Sequence, residues 1–214
     1  MRALNLHTKT WQKSIRVLGF MPKWLTLYGG KHACEIPFSG EIWLVWQAGY
    51  EYDEETFEKI FRRIYASFGS AAPYSVFPDS QPFLRWVRSK GLKVGIVSNA
   101  EYRYQDVILP SLGLNEGSEW DFGVFSGLEG VEKPNPRIYE IALERAGNIA
   151  PQEALHIGDS MRKDYEPAKS VGMHALLLDR FKTPDAENWR KSGAIVLPDL
   201  VAAQEWLSSE KSTF

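Results

Sequence analysis

The chain has 214 residues, 44% of them hydrophobic, enough for one α/β domain with a modest second element and too apolar for a disordered segment. Its 25 basic and 27 acidic residues nearly cancel, the pI is near 6.1 and no run of like charge occurs, so neither nucleic acid nor an anionic membrane is the expected partner and a small molecule is. Cys34 stands alone, which excludes an intramolecular disulfide and fits an intracellular, most simply cytoplasmic, location with an inert thiol.

The segment Met1 to Lys31 is basic and hydroxyl-bearing, with no acidic residue before Glu35. That composition is shared with organelle transit peptides, although Trp11, Trp24 and Tyr28 are bulky for one, and a short extension of other origin is the plainer reading. Ile15-Arg-Val-Leu-Gly-Phe20 and Ile42-Trp-Leu-Val-Trp46 are apolar runs without helical caps, far shorter than the ~20 residues of a membrane span. From Asp53 an amphipathic helix is predicted, with Phe57, Ile60, Phe61 and Ile64 at helical spacing and Gly69 ending it.

Beyond Val76 strands and helices alternate, the rhythm of a parallel sheet covered on both faces. Asp79 is the predicted cap of a helix that has Pro82 in its first turn, Phe83, Leu84 and Val87 inward, and Gly91 past its end. Strands are predicted at 92–97, 122–126, 154–157, 174–178 and 194–197, and helices at 104–112, 136–146, 165–171 and 200–207. Residues 1–72 read as an atypical N-terminal segment plus a helical remnant, and 73–214 as one doubly wound core.

Ligands of open parallel sheets sit beyond the carboxyl ends of the strands, so polar residues directly after apolar runs are the candidates. Ser98-Asn99 ends the strand at Val97, where a hydroxyl, an amide and nearby N–H groups suit a phosphate oxygen; turn formation alone also explains them. Glu132-Lys-Pro-Asn-Pro136 holds Lys133 in a pre-proline position at a helix mouth, suited to neutralising phosphate or a carboxylate, where a solvated lysine is the ordinary alternative. Gly158-Asp159 ends a buried strand and Asp164 follows five residues on, a pair of carboxylates able to hold Mg²⁺ completed by water and substrate phosphate; Asp164 also suits a helix cap.

Ser98, Lys133 and the Asp159/Asp164 pair, each after a strand and in this order, resemble motifs two to four of the haloacid dehalogenase superfamily. Val97-Ser-Asn-Ala100, Glu132-Lys-Pro-Asn-Pro136 and His156-Ile-Gly-Asp-Ser160 resemble in particular its subgroup of domain-containing protein 3, plant type, over about Gly49 to Leu207. The resemblance implies a Rossmann-like α/β core with a partial helical cap, Ser98 and Asn99 holding the phosphoryl group, Lys133 stabilising its charge, and Mg²⁺ on Asp159 with help from Asp164. Ser98 and Lys133 would be its catalytic residues, acting on a small phosphorylated molecule.

The family's first motif, an apolar strand ending in Asp-x-Asp whose aspartate attacks phosphorus, has no match. No aspartate precedes Asp53, and none of the later ones stands two residues from another; Asp199, after Pro198, reads as a helix cap. Without that strand, a gap of roughly 10 Å would open at the centre of the sheet. Its missing hydrogen bonds, at roughly 1–3 kcal/mol each, would consume most of a typical stability of about 5–15 kcal/mol. Either Ile15–Phe20 or Trp24–Tyr28 is expected to fill the slot; otherwise residues 1–48 stem from an alternative start or splice junction and the domain is truncated. The inherited chemistry is Mg²⁺-dependent phosphoester hydrolysis, expected to be lost here; the alternatives are a non-catalytic phosphate- or protein-binding relative, or a truncated isoform.

Overall fold

A computed structural model of the chain describes residues 15–18 and 53–209. Among the described residues six strands form one parallel sheet: β1 (Ile15–Leu18), β2 (Lys93–Ser98), β3 (Phe122–Phe125), β4 (Ala154–Gly158), β5 (His174–Leu178) and β6 (Val196–Leu197). Their order, β3-β2-β1-β4-β5-β6, puts β1 at the centre. Ile15 to Leu18 pair with Lys93 to Ile96 on one side and with Ala154 to Ile157 on the other, so the first of the two candidate runs fills the slot. The other candidate, Trp24–Tyr28, lies outside the described residues, as do Cys34, the run Ile42 to Trp46 and the rest of the leader-like segment Met1 to Lys31.

β2 is buried from Val94 onward and β4 along its whole length, as expected of strands covered on both faces. Helix α1 (Glu54–Phe68) begins at Asp53, whose carboxylate accepts from the Thr56 N–H at 2.7 Å, and ends where the Gly69 N–H donates to the Tyr65 carbonyl at 3.0 Å. The expected stripe of Phe57, Ile60, Phe61 and Ile64 falls on side chains outside those described.

Helix α2 (Ser80–Ser89) buries Phe83, Leu84 and Val87 as anticipated, and Gly91 follows it at φ +70°, which a glycine adopts without strain. Asp79 is a correction: it precedes α2, but its side chain makes no cap bond there. The carboxylate instead pairs with the Arg180 guanidinium through both oxygens, at 2.9 and 3.1 Å, and accepts from the Leu200 N–H at 2.8 Å. A guanidinium fork matches a carboxylate, and the orphan donor of another helix outcompetes that of the aspartate's own.

Helix α3 (Arg137–Arg145) buries Ile138, Tyr139, Ala142 and Leu143 in a cluster with Val97, Phe122, Val124 and Met173. Helix α4 (Glu166–Ser170) is preceded by a wide π-type turn over Met161–Tyr165, and 104–112 likewise resolves into a π-type stretch, Tyr104–Ile108, followed by Leu109–Ser111. Helix α5 (Ala186–Lys191) was not anticipated, and the strand expected at 194–197 shortens to its last two residues. Helix α6 (Leu200–Ser208) starts at Asp199, whose carboxylate accepts from the Ala202 N–H at 2.8 Å, the cap read from the sequence.

Contacts divide the chain into two compact units. The first holds the sheet with α2 to α6. The second comprises residues 21–76 together with Glu101–Gly113. Within it Arg103 lies 3.6 Å from the centre of the Tyr65 ring and donates to the Tyr65 carbonyl at 2.7 Å, while the Tyr74 and Tyr104 hydroxyls meet at 2.8 Å.

Candidate functional site

The carboxyl ends of β2 and β4 flank β1, and both end in the residues singled out from the sequence. Ser98 closes β2 and is buried, yet its hydroxyl has no hydrogen-bond partner among the described residues. Asn99, next in the chain, is fully engaged. Its carbonyl oxygen accepts from the Lys133 N–H at 2.7 Å, and its amide donates to the Lys133 carbonyl at 2.9 Å and to Glu132 at 3.2 Å. The carboxamide therefore holds the lysine's backbone, and what Asn99 keeps for a ligand is its own N–H.

Lys133 follows a turn closed by the Asn135 N–H on the Glu132 carbonyl at 2.9 Å, and its bond to Pro134 is cis. It is only 7% exposed, so it is no solvated surface lysine. Its ammonium donates to Asp164 Oδ1 at 2.6 Å. A lysine has three N–H bonds, and the other two have no partner among the described residues.

Asp164 is buried and accepts from three directions. Oδ1 takes Lys133 and the His156 ring Nε2, the latter at 2.9 Å, and Oδ2 takes the Ser160 N–H at 3.0 Å. The Ser160 hydroxyl in turn accepts from the Lys163 N–H at 3.1 Å, so Ser160 caps the turn and Asp164 answers it. Gly158 makes the approach possible, since a Cβ there would collide with the Asp164 carboxyl. Burial raises the Asp164 pKa, but the Lys133 charge, followed by the bond from His156, outweighs it and holds the group well below the ordinary carboxylate range.

Asp159 is the opposite case. Half-buried directly after β4, its carboxylate has no hydrogen bond to another described side chain. Burial, reinforced by the Asp164 charge, pushes its pKa up to about 6. Two carboxylates five residues apart thus differ: one is committed, the other open.

Mg²⁺ binds through one or two carboxylates and fills its octahedron with water and phosphate oxygens. Asp159 fits that role as a single carboxylate with no hydrogen bond to another described side chain, in the field of the Lys133 and Arg180 charges. Asp164 stands behind it with both oxygens taken. Among the described residues no three His, Cys, Asp or Glu side chains form a metal-ligating group, so the fit is to a weak, ligand-completed ion and not to a protein cage.

Two participants escaped the sequence reading, His156 and Tyr139. His156 is wholly buried in β4 and stacks edge-on against Tyr139, ring centres 5.2 Å apart at 88°. The Tyr139 hydroxyl donates to the Lys163 carbonyl. The available signal was a histidine inside an apolar strand two residues before Gly158, a polar group that burial obliges to find a partner.

The family described as haloacid dehalogenase-like hydrolase matches residues 26–172. Haloacid dehalogenase-like hydrolase domain-containing protein 3 of Bos taurus is 39% identical over 132 residues, 62% of this chain and 51% of that protein. A phosphoserine phosphatase of Thermus thermophilus is 32% identical over 120 residues, 56% of this chain and 47% of that protein. The chain spans about half the length of the curated relatives it matches. Among solved structures, a phosphatase from Thermococcus onnurineus superposes with a TM-score of 0.64 at 22% identity, covering 92% of this chain and 99% of its own, which establishes likeness of fold.

Proposed function

The chain belongs to the haloacid dehalogenase-like hydrolase family, and we propose that it binds the phosphoryl group of a small phosphorylated molecule without carrying out the family's hydrolysis. The observation that carries this reading is the pair of open groups at the strand ends: a Lys133 ammonium with two uncommitted N–H bonds and a Ser98 hydroxyl without a partner among the described residues. Lys133 supplies charge, Ser98 a hydrogen bond and Asn99 its backbone N–H, while the Asn99 carboxamide fixes the lysine's loop. Asp159 would hold Mg²⁺, with Asp164 as its charge-balanced neighbour; the ion would supply further neutralisation of the phosphoryl oxygens.

The central strand and the sequence after it support the proposed absence of turnover. Neither Ile15-Arg-Val-Leu18 nor the residues after it contain an acid until Glu35, so no aspartate follows β1 where the family places its nucleophile. Asp159 and Asp164 do not replace it: one is the open metal carboxylate, the other is spent on Lys133, His156 and Ser160. Loss of a covalent nucleophile costs on the order of 10⁶ in kcat. The single cysteine and balanced charge favour an intracellular, cytoplasmic setting for such a binder.

The test pairs an aryl phosphate assay in Mg²⁺ with inorganic phosphate binding by calorimetry, on the wild type, Asp159→Asn and Lys133→Met. Phosphate binding that is lost in Lys133→Met, with no turnover above the Asp159→Asn background, is expected. Turnover abolished by Asp159→Asn would overturn the non-catalytic reading.

A further inference from the structure

Lys133 and Asp164 suffice for a charge-balanced pair, so the third member of their network calls for its own explanation. Asp164 Oδ1 receives both the Lys133 ammonium, at 2.6 Å, and His156 Nε2, at 2.9 Å. An ionised carboxylate only accepts, so Nε2 carries the hydrogen, and in a neutral ring Nδ1 is then bare. Nδ1 is buried and has no hydrogen-bond partner among the described residues. An unmet acceptor in a dry core costs about 1–3 kcal/mol, which a leucine of similar size would avoid. The residue level with it on the neighbouring strand β5 is the small Ala175, and Tyr139 closes over it edge-on. Burial holds its pKa below the usual imidazole value.

We propose that His156 is a positioning residue of the phosphate cradle: by occupying one approach to Asp164 Oδ1, it confines the Lys133 ammonium to the other, leaving that ammonium's two remaining N–H bonds for phosphoryl oxygens. The inference rests on the phosphate-binding reading above and assigns to a strand-buried histidine the task of aiming that site's cation. A neutral donor does this without a second positive charge competing for Asp164. Second-layer partners of this kind are worth about 10–100-fold in ligand affinity or activity.

The experiment compares wild type, His156→Gln, which returns an N–H near the reach of Nε2, and His156→Leu, which does not. Nitrogen NMR reads the His156 tautomer and the exchange of the Lys133 ammonium hydrogens, and calorimetry reads inorganic phosphate affinity. Expected are a neutral Nε2–H ring, slowly exchanging Lys133 ammonium hydrogens in wild type and His156→Gln, rapid exchange in His156→Leu, and phosphate affinity lowered about tenfold in His156→Leu alone. An Nδ1–H ring, or a folded His156→Leu that binds phosphate and protects the Lys133 ammonium like wild type, overturns the proposal. Should His156→Leu fail to fold, loss of that protection in His156→Gln does the same. If wild type binds no phosphate, the functional reading falls, and the tautomer with the ammonium exchange still decides the role of His156.

Discussion

Lys133 and Asp164 are a buried ion pair, and separating its halves exposes how each is maintained. In Lys133→Met the carboxylate keeps only His156 and Ser160, and an uncompensated buried charge costs about 3–5 kcal/mol. The pH dependence gives the sign. The folded pKa of Asp164 is depressed, so its stabilisation is present above the ordinary carboxylate value near 3.9 and is lost only as pH falls through the folded value. Without Lys133, burial is opposed only by the weaker hydrogen bonds, and the group takes up a proton at milder acidity. The stability gap between wild type and Lys133→Met, measured as urea midpoints, is therefore expected to narrow as pH falls from 7 toward the ordinary carboxylate value; an unchanged gap would show that the pair is not its source. Asp159 has the reverse sign. Its folded pKa is raised to about 6, so its contribution is present below the ordinary carboxylate value and is lost as pH rises through about 6. In metal-free buffer Asp159→Asn should be more stable than wild type at pH 7.5 by about 1 kcal/mol, allowing for solvent screening of a half-buried group, or about 2–4 °C in Tm. The difference should vanish by about pH 4 in thermal melts. These roles were only partly legible. The types and spacing of Ser98, Lys133, Asp159 and Asp164 announced a strand-end site, but which carboxylate is committed depends on the space above Gly158 and on His156 across the turn, which no local pattern encodes.

Strand β1 is four residues long and is paired on both edges. Val17→Pro removes an N–H from the middle of that ladder, and each buried partner left unpaired costs about 1–3 kcal/mol, so the denaturation midpoint should fall and cooperativity should suffer. Asp79→Ala tests a different tie, one that links the start of α2 to Arg180 after β5 and to the first N–H of α6. Leaving that donor and the guanidinium unmet should cost about 1–3 kcal/mol in chemical denaturation. Buried strands such as 93–98 and 154–158 were readable because their apolar runs are bounded by glycines and polar residues. The slot-filling role of Ile15–Leu18 was readable only as one of two choices, because apolar, β-compatible composition does not distinguish the two runs. Asp79 misled because a cap residue is judged by its neighbours in sequence, whereas its partners here lie about 100 and 120 positions away. Helix α5 was hidden by its length: a six-residue element carries less than two turns of periodicity.

For the molecule as a whole, ligand linkage provides a readout that needs no substrate. A ligand that binds only the folded chain stabilises it by about 2.7 kcal/mol at 100 times its Kd. Because Asp159 is a single open carboxylate, Mg²⁺ alone should raise Tm little, and Mg²⁺ with inorganic phosphate together should raise it by more than the sum of the separate shifts. Strict additivity would mean that the two do not share a site. The central placement of β1 also bears on how the fold is reached. Its neighbours are Lys93–Ser98 and Ala154–Gly158, so this strand meets its second flank about 140 residues later in synthesis. At a synthesis rate of about 5–20 residues per second, that is an interval on the order of 10 s. Until then the strand keeps at least one edge open, which makes the emerging polypeptide, more than the finished one, the form of this protein most exposed to misassembly on the ribosome.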